Sequence, residues 1–171
     1  MPPLRLDPDR LFPPDPATRA IARELYGAVR ALPIISPHGH TDPAWFAVNA
    51  PFGNASDLLL QPDHYLFRML HSQGIGLDRL GIGPDGRDVD PREAWRLLAT
   101  NFHLFRGTPS RMWLDWVFAE VFGLEVRLCA ATADLHYDAI TEALASEAFR
   151  PRALFERFGI EVLTTTESPI R

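Results

Sequence analysis

Apolar side chains recur at helical spacing near the start of the chain, at Ile21, Leu25, Ala28 and Leu32, which predicts a helix over residues 17–31 with one apolar face. Asp15 and Pro16 stand before it as N-cap and first helical residue. Pro33 ends that helix, and the apolar pair Ile34-Ile35 opens a strand predicted over about 33–38. A second strand is predicted over about 160–166, where Ile160-Glu161-Val162-Leu163-Thr164-Thr165-Thr166 is rich in β-branched residues. The stretch between them, about 44–146, reads as mostly helical. A short helix begins near Ser56 or Asp57, and another at Pro62 or Asp63. Asp90-Pro91 opens a helix through Thr100 with Ala94, Leu97 and Leu98 on one face. Thr108-Pro109 caps and starts the next, which carries Trp113, Trp116, Val117 and Val121 and ends at Gly123; its aromatic stripe is expected to pack. A helix over 133–145 and a short one over 151–158, ended by Gly159, complete the set.

Strand, long helical excursion, helix and strand make a β–(many α)–β unit, the mark of an α/β protein with parallel strands. Two parallel strands leave both sheet faces and both edges open. The expectation is therefore a segment of a larger α/β enzyme, or a sheet completed by another chain.

Composition narrows the function classes. The net charge of −5 and the lack of a basic run argue against nucleic acid as partner. No apolar stretch approaches the roughly 18–20 residues a membrane span needs. The leading residues carry acids early and lack a signal-peptide core, so a cytoplasmic protein is expected. The single Cys129 excludes an internal disulfide and a four-cysteine zinc site. All 17 Lys+Arg residues are arginine, which excludes a Schiff-base or carbamylated lysine in this chain.

The candidate chemistry centres on Pro37-His38-Gly39-His40-Thr41-Asp42-Pro43. In extended backbone, residues i and i+2 point to one side, so His38 and His40 could reach one ion together. Neutral imidazole is the commonest side-chain ligand of zinc-like metals, and the carboxyl end of a strand is where α/β barrels place their chemistry. The spacing alone favours two partly buried loop histidines; the position after the strand is what raises the metal reading. On the helix starting at Asp63, His64, Phe67, Arg68 and His71 share a face. That face is either the polar edge of an amphipathic helix or an anion or substrate contact. His103 reads as a cap or loop residue. The glycine pairs at 74–76 and 81–86 lack the strand-then-helix context of a nucleotide loop.

Three stretches, taken in order, carry a resemblance to a known family. They are Pro37–Pro43, the run from Pro62-Asp63-His64-Tyr65 through Leu70, and the run from Pro151-Arg152-Ala153 through Leu163. The chain resembles the N-terminal portion of uronate (glucuronate) isomerase, in the amidohydrolase superfamily. The resemblance implies the N-terminal part of a distorted (β/α)8, TIM-type barrel with a helical insertion after the first strand. It implies His38 and His40 as a metal pair, and His64 and Tyr65 as residues that approach the sugar and are candidates for catalysis. Arg68, on the same helix, is a substrate contact or a packing or ion-pair residue. The metal is divalent, zinc first, although two imidazoles do not rank zinc against manganese or iron.

The activity implied interconverts aldo- and keto-hexuronates, D-glucuronate with D-fructuronate and D-galacturonate with D-tagaturonate. The partners implied are the hexuronate itself, and either further copies of the chain or the C-terminal part that completes the barrel. The family commonly shows Thr-Thr-Asp-Asp-Pro after its second strand, where this chain has Thr165-Thr166-Glu167-Ser168-Pro169. A further metal-binding Asp and carboxylate-binding arginines of the family fall beyond residue 171, so the isolated chain is expected to be inactive. The alternatives are a metal-dependent hydrolase of the same superfamily and an inactive truncated remnant.

Overall fold

A computed structural model describes residues 2–166, which divide into two compact units. One consists of residues 2–6 with Phe52–Ser146; the other consists of Asp7–Pro51 with residues 147–166. The helical excursion predicted over about 44–146 falls mostly within the first of these units.

The strand-bearing unit begins with α1, Pro16–Val29, capped by the Asp15 side chain with Pro16 in the first turn. It continues with β1 (Ile34–Ser36) and α2 (Pro43–Val48), and resumes after the excursion with α8 (Pro151–Arg157) and β2 (Ile160–Leu163). The strands pair in parallel, as the topology predicts. Both are shorter than the predicted 33–38 and 160–166. Pro33 and Pro37 flank β1 and offer no N–H to a ladder. The register slips between Ile34 and Ile35, which face Ile160 and Val162 and leave Glu161 without an opposite residue. Contact continues past the strands by single hydrogen bonds: the Thr164 N–H donates to the Ser36 carbonyl (3.0 Å) and the Thr166 N–H to the Gly39 carbonyl (3.1 Å).

The helical unit contains α3 (Ala55–Leu59), α4 (His64–Ser72), α5 (Pro91–Thr100), α6 (Pro109–Trp116) and α7 (Ala133–Leu144). The predicted caps hold: Asp63, Asp90 and Thr108 each accept backbone N–H bonds in the following first turn. The helix predicted near Ser56 starts one residue earlier, capped by Asn54. After Trp116 the chain runs on as a π-helical stretch, Val117–Val121.

Helix α5 lies against both α3 and α7. Its Trp95 is fully buried, meets Phe118 edge-on, and donates its indole N–H to the Ala133 carbonyl at 3.1 Å. Phe102, Phe105, Leu114, Ile140 and Leu144 fill the same core. Arg92 and Arg96 of α5 clamp the outer side by pairing with Asp134 of α7, and Arg92 also with Asp138. Trp113 and Trp116 are exposed, against the expectation that the whole aromatic stripe packs; Leu114, Val117 and Phe118 take the inward positions.

The chain's first residues close the helical unit. Leu4 is buried, its N–H donates to the Glu125 carbonyl (2.7 Å), and the Arg127 N–H donates to the Pro2 carbonyl (3.0 Å).

The two units bury apolar surface very differently. Apart from Pro151 at the start of α8, every buried hydrophobic side chain among the described residues belongs to the helical unit. In the strand-bearing unit, α1 buries no residue, and Leu25 and Ile35 are 65% and 64% exposed. Val29, Ile34 and Val162 are exposed as well.

Candidate active site

The turn after β1 carries the histidine pair. The imidazoles lie just past the strand, whose last residue is Ser36, and not on it. Their rings meet edge to face at 5.0 Å between centroids, with the two Nε2 atoms 3.2 Å apart. Both residues are exposed.

That spacing fits a shared metal. With metal–nitrogen bonds of roughly 2.0–2.1 Å at a tetrahedral centre, two ligand nitrogens stand about 3.3 Å apart. A bare pair of neutral rings could use the same approach for only one N–H···N bond. The Thr166 hydroxyl lies 3.2 Å from His40 Nδ1. When Nδ1–H donates to it, the Nε2 lone pair is left free for an ion, the usual arrangement behind a histidine ligand. Among the described residues, no group of three or more His, Cys, Asp or Glu side chains gathers here or elsewhere.

Backbone contacts fix this turn. The Ser36 hydroxyl donates to the His38 carbonyl at 3.1 Å, and Gly39 passes close to the exit of β2. A β-carbon on Gly39 would stand 3.0 Å from the Thr164 carbonyl oxygen and 3.6 Å from a Leu163 methyl. Asp42 is spent as the cap of α2, accepting the Ala44 N–H at 2.8 Å. That helix ends at Asn49, left-handed at φ 54°, and its last carbonyls are held by Arg152 of α8. The Arg152 guanidinium donates to the Phe46 and Ala47 carbonyls (2.8 and 3.1 Å), and the Arg152 backbone N–H donates to the Asn49 side-chain oxygen. Cationic donors at a helix carboxyl end also oppose its dipole.

The other candidate residues sit on α4 in the helical unit. Asp63 accepts the Tyr65 and Leu66 N–H groups at 2.8 and 3.3 Å, so its carboxylate serves as a cap. The His64 ring lies against the Tyr65 ring, 4.2 Å between centroids and tilted by 34°. Leu66 and Leu70 point into the core, while His64, Tyr65, Arg68 and His71 face outward. Arg68 is exposed and makes no ion pair among the described residues. Tyr65 is 67% exposed and forms one wall of an open cavity of about 420 Å3 with Met69, Phe105, Thr108, Pro109 and Ser110.

The model of the glucuronate isomerase family matches residues 17–171. The chain belongs to the glucuronate isomerase family. A uronate isomerase of Sphingopyxis alaskensis is 73% identical over 168 residues, which cover 98% of this chain and 35% of that relative. One of Phenylobacterium zucineum is 69% identical over 171 residues, again 98% and 35%. The crystal structure of glucuronate isomerase from Caulobacter crescentus is similar with a TM-score of 0.96 at 62% identity, over 99% of this chain and 36% of that one. A uronate isomerase structure from Thermotoga maritima shares the fold, with a TM-score of 0.84 at 24% identity, over 98% of this chain and 34% of that one. The chain thus spans about a third of the length of the glucuronate isomerase relatives it matches. No helix among the described residues is long and apolar enough to cross a membrane.

Within this member of the glucuronate isomerase family, the structure brings His38 and His40 together, and it brings His64 and Tyr65 together. Sequence reasoning missed Thr166 as the partner of His40, although a threonine run leaving the second strand was its signal. It also missed Arg152, whose role depends on a helix about a hundred residues earlier and has no local mark. The Glu167-Ser168 departure from the family pattern lies outside the described residues.

Proposed function

We propose that this chain is the N-terminal third of a cytoplasmic, metal-dependent uronate isomerase built on a distorted (β/α)8 barrel of the amidohydrolase type. The convergence of His38 and His40 Nε2 at 3.2 Å carries this reading beyond family membership. The open apolar surfaces of α1, β1 and β2 support completion by the polypeptide that makes up the rest of such a barrel.

The reaction moves a carbonyl from C1 to C2 of an open-chain hexuronate. A proton leaves C2 as O1 takes one up, which gives a cis-enediol; O2 then gives up its proton as one is delivered at C1. His38 and His40 hold a divalent ion, zinc first among candidates, which when bound polarises a carbonyl or orients hydroxyls. Thr166 keeps the His40 ring turned toward it. Tyr65 and His64, exposed and stacked, contact the sugar and are the candidates on this chain for handling a proton. Arg68, exposed and without a carboxylate partner among the described residues, suits the uronate carboxylate.

The test compares the 171-residue chain with a form extended by the C-terminal two-thirds of the Sphingopyxis alaskensis relative. Metal content and hexuronate isomerisation are measured on both. The extended form is expected to bind a divalent metal and to isomerise D-glucuronate or D-galacturonate, with activity lost in His38→Ala and His40→Ala. The short chain is expected to be inactive. Hydrolysis of esters, amides or lactones without isomerisation would transfer the site to the hydrolase reading. Robust turnover by the homogeneous short chain would sink the claim that it is incomplete.

A further inference from the structure

The cavity beside Tyr65 holds more chemistry than Tyr65 alone. Tyr65 and Met69 stand one turn apart on α4, so they share a face. Phe105, Thr108, Pro109 and Ser110 line the cavity as well, and the volume of this open groove, about 420 Å3, is that of a small-molecule site. Its polar groups divide into those already committed and those still free. The Thr108 hydroxyl accepts the Arg111 N–H at 3.2 Å and donates to the Phe105 carbonyl at 2.7 Å. Pro109 has no N–H to offer. The side-chain hydroxyls of Tyr65 and Ser110 make no hydrogen bond among the described residues. Two free hydroxyls therefore border a surface of Met69, Phe105 and Pro109.

This pattern complements the carbon chain of a sugar acid. Its C–H faces lie well on aromatic and aliphatic surface, while its hydroxyls need partners that both donate and accept. We propose that this groove, in the isomerase reading given above on which it rests, receives the mid-chain carbons of the hexuronate, and that Ser110 is a specificity-determining residue whose hydroxyl bonds a sugar hydroxyl. D-Glucuronate and D-galacturonate differ only in configuration at C4. A hydroxyl fixed at the start of α6 meets the two sugars differently and so sets which is preferred.

The test uses the extended, active form with Ser110→Ala, Ser110→Thr and Met69→Trp. Ser110→Ala is expected to raise KM about tenfold for the preferred hexuronate and to shift the glucuronate-to-galacturonate ratio of kcat/KM by threefold or more. Ser110→Thr, which keeps the hydroxyl, restores the ratio. Met69→Trp fills the groove and lowers kcat/KM for both sugars by more than tenfold. Circular dichroism and unfolding midpoints establish that each variant folds, and the serine pair decides the matter if the tryptophan variant does not. An active enzyme whose ratio stays within twofold in Ser110→Ala overturns this inference alone. An extended form inactive on both sugars overturns the isomerase reading and this inference with it.

Discussion

Gly39→Ala probes how the turn between the two histidines is held. The added methyl would sit 3.0 Å from the Thr164 carbonyl oxygen, at the limit real β-carbons reach, and the neighbour is backbone and not a flexible side chain. Relief requires the exit of β2 to move away from the turn. That movement stretches the Thr166 N–H bond to the Gly39 carbonyl and separates the Thr166 hydroxyl from His40 Nδ1, now 3.1 and 3.2 Å. Losing one such hydrogen bond costs about 1 kcal/mol, and overpacking adds about 1 kcal/mol more at the mild end of its range. The hydrogen bond alone corresponds to about a five-fold loss of affinity for a divalent ion, and the sum, about 2 kcal/mol, to about thirty-fold, which sets the expected range. Competition of zinc against a chromophoric chelator, on the 171-residue chain at neutral pH, reads this directly. Thr166→Val, which removes only the hydroxyl, should fall on the weak side of the same range. Wild-type affinity in Gly39→Ala would show that the β2 exit does not position the histidines, and the account of the turn given above would fail.

Three further outcomes follow from the packing. Trp95→Ala removes a fully buried indole and its bond to Ala133, and should cost about 3–5 kcal/mol in the unfolding of the helical unit, measured by urea titration. Leu25→Ala in α1, at a side chain 65% exposed, should cost under about 0.5 kcal/mol in the short chain but about 2–3 kcal/mol in the extended form, where the same face becomes covered; equal costs in the two forms would argue against the covering. Burial holds the His136 imidazole below its ordinary pKa, so the folded state binds fewer protons than the unfolded one. Stability from neutral His136 is full above roughly pH 6.5 and declines as pH falls through that value toward the lower folded pKa. Unfolding midpoints across this window should therefore slope less in His136→Gln than in the wild type.

Much of the helical architecture was legible because its signals are local. Asp15-Pro16, Asp63, Asp90-Pro91 and Thr108-Pro109 mark helix starts by chemistry that acts within one turn, and each cap is found in place. Strand extents were less legible: Ile34-Ile35 and Ile160–Thr166 have the right residues, but prolines and a register slip shorten the ladder. The exposure of Trp113 and Trp116 escaped the reading because the stripe was counted through the tryptophans, whereas the inward face runs through Leu114, Val117 and Phe118 at i, i+3 and i+4 and leaves both indoles beside it. In the site, the alternation of His38, Gly39 and His40 foretold their convergence. The supporting partners Thr166 and Arg152 were hidden, since each acts on backbone or side chains far away in sequence.

The pairing of residues 2–4 with 125–127 bears on how the protein is made. On the ribosome the first residues emerge long before the segment that receives them, and at ordinary translation speeds the wait is on the order of ten seconds. During that time α1 and β1 have left the ribosome with little to bury, and the helical unit lacks the segment that its strap pairs with. A chaperone that shields early apolar chain would find Ile21 and Leu25 of α1 exposed during that wait, since their own unit offers them no cover.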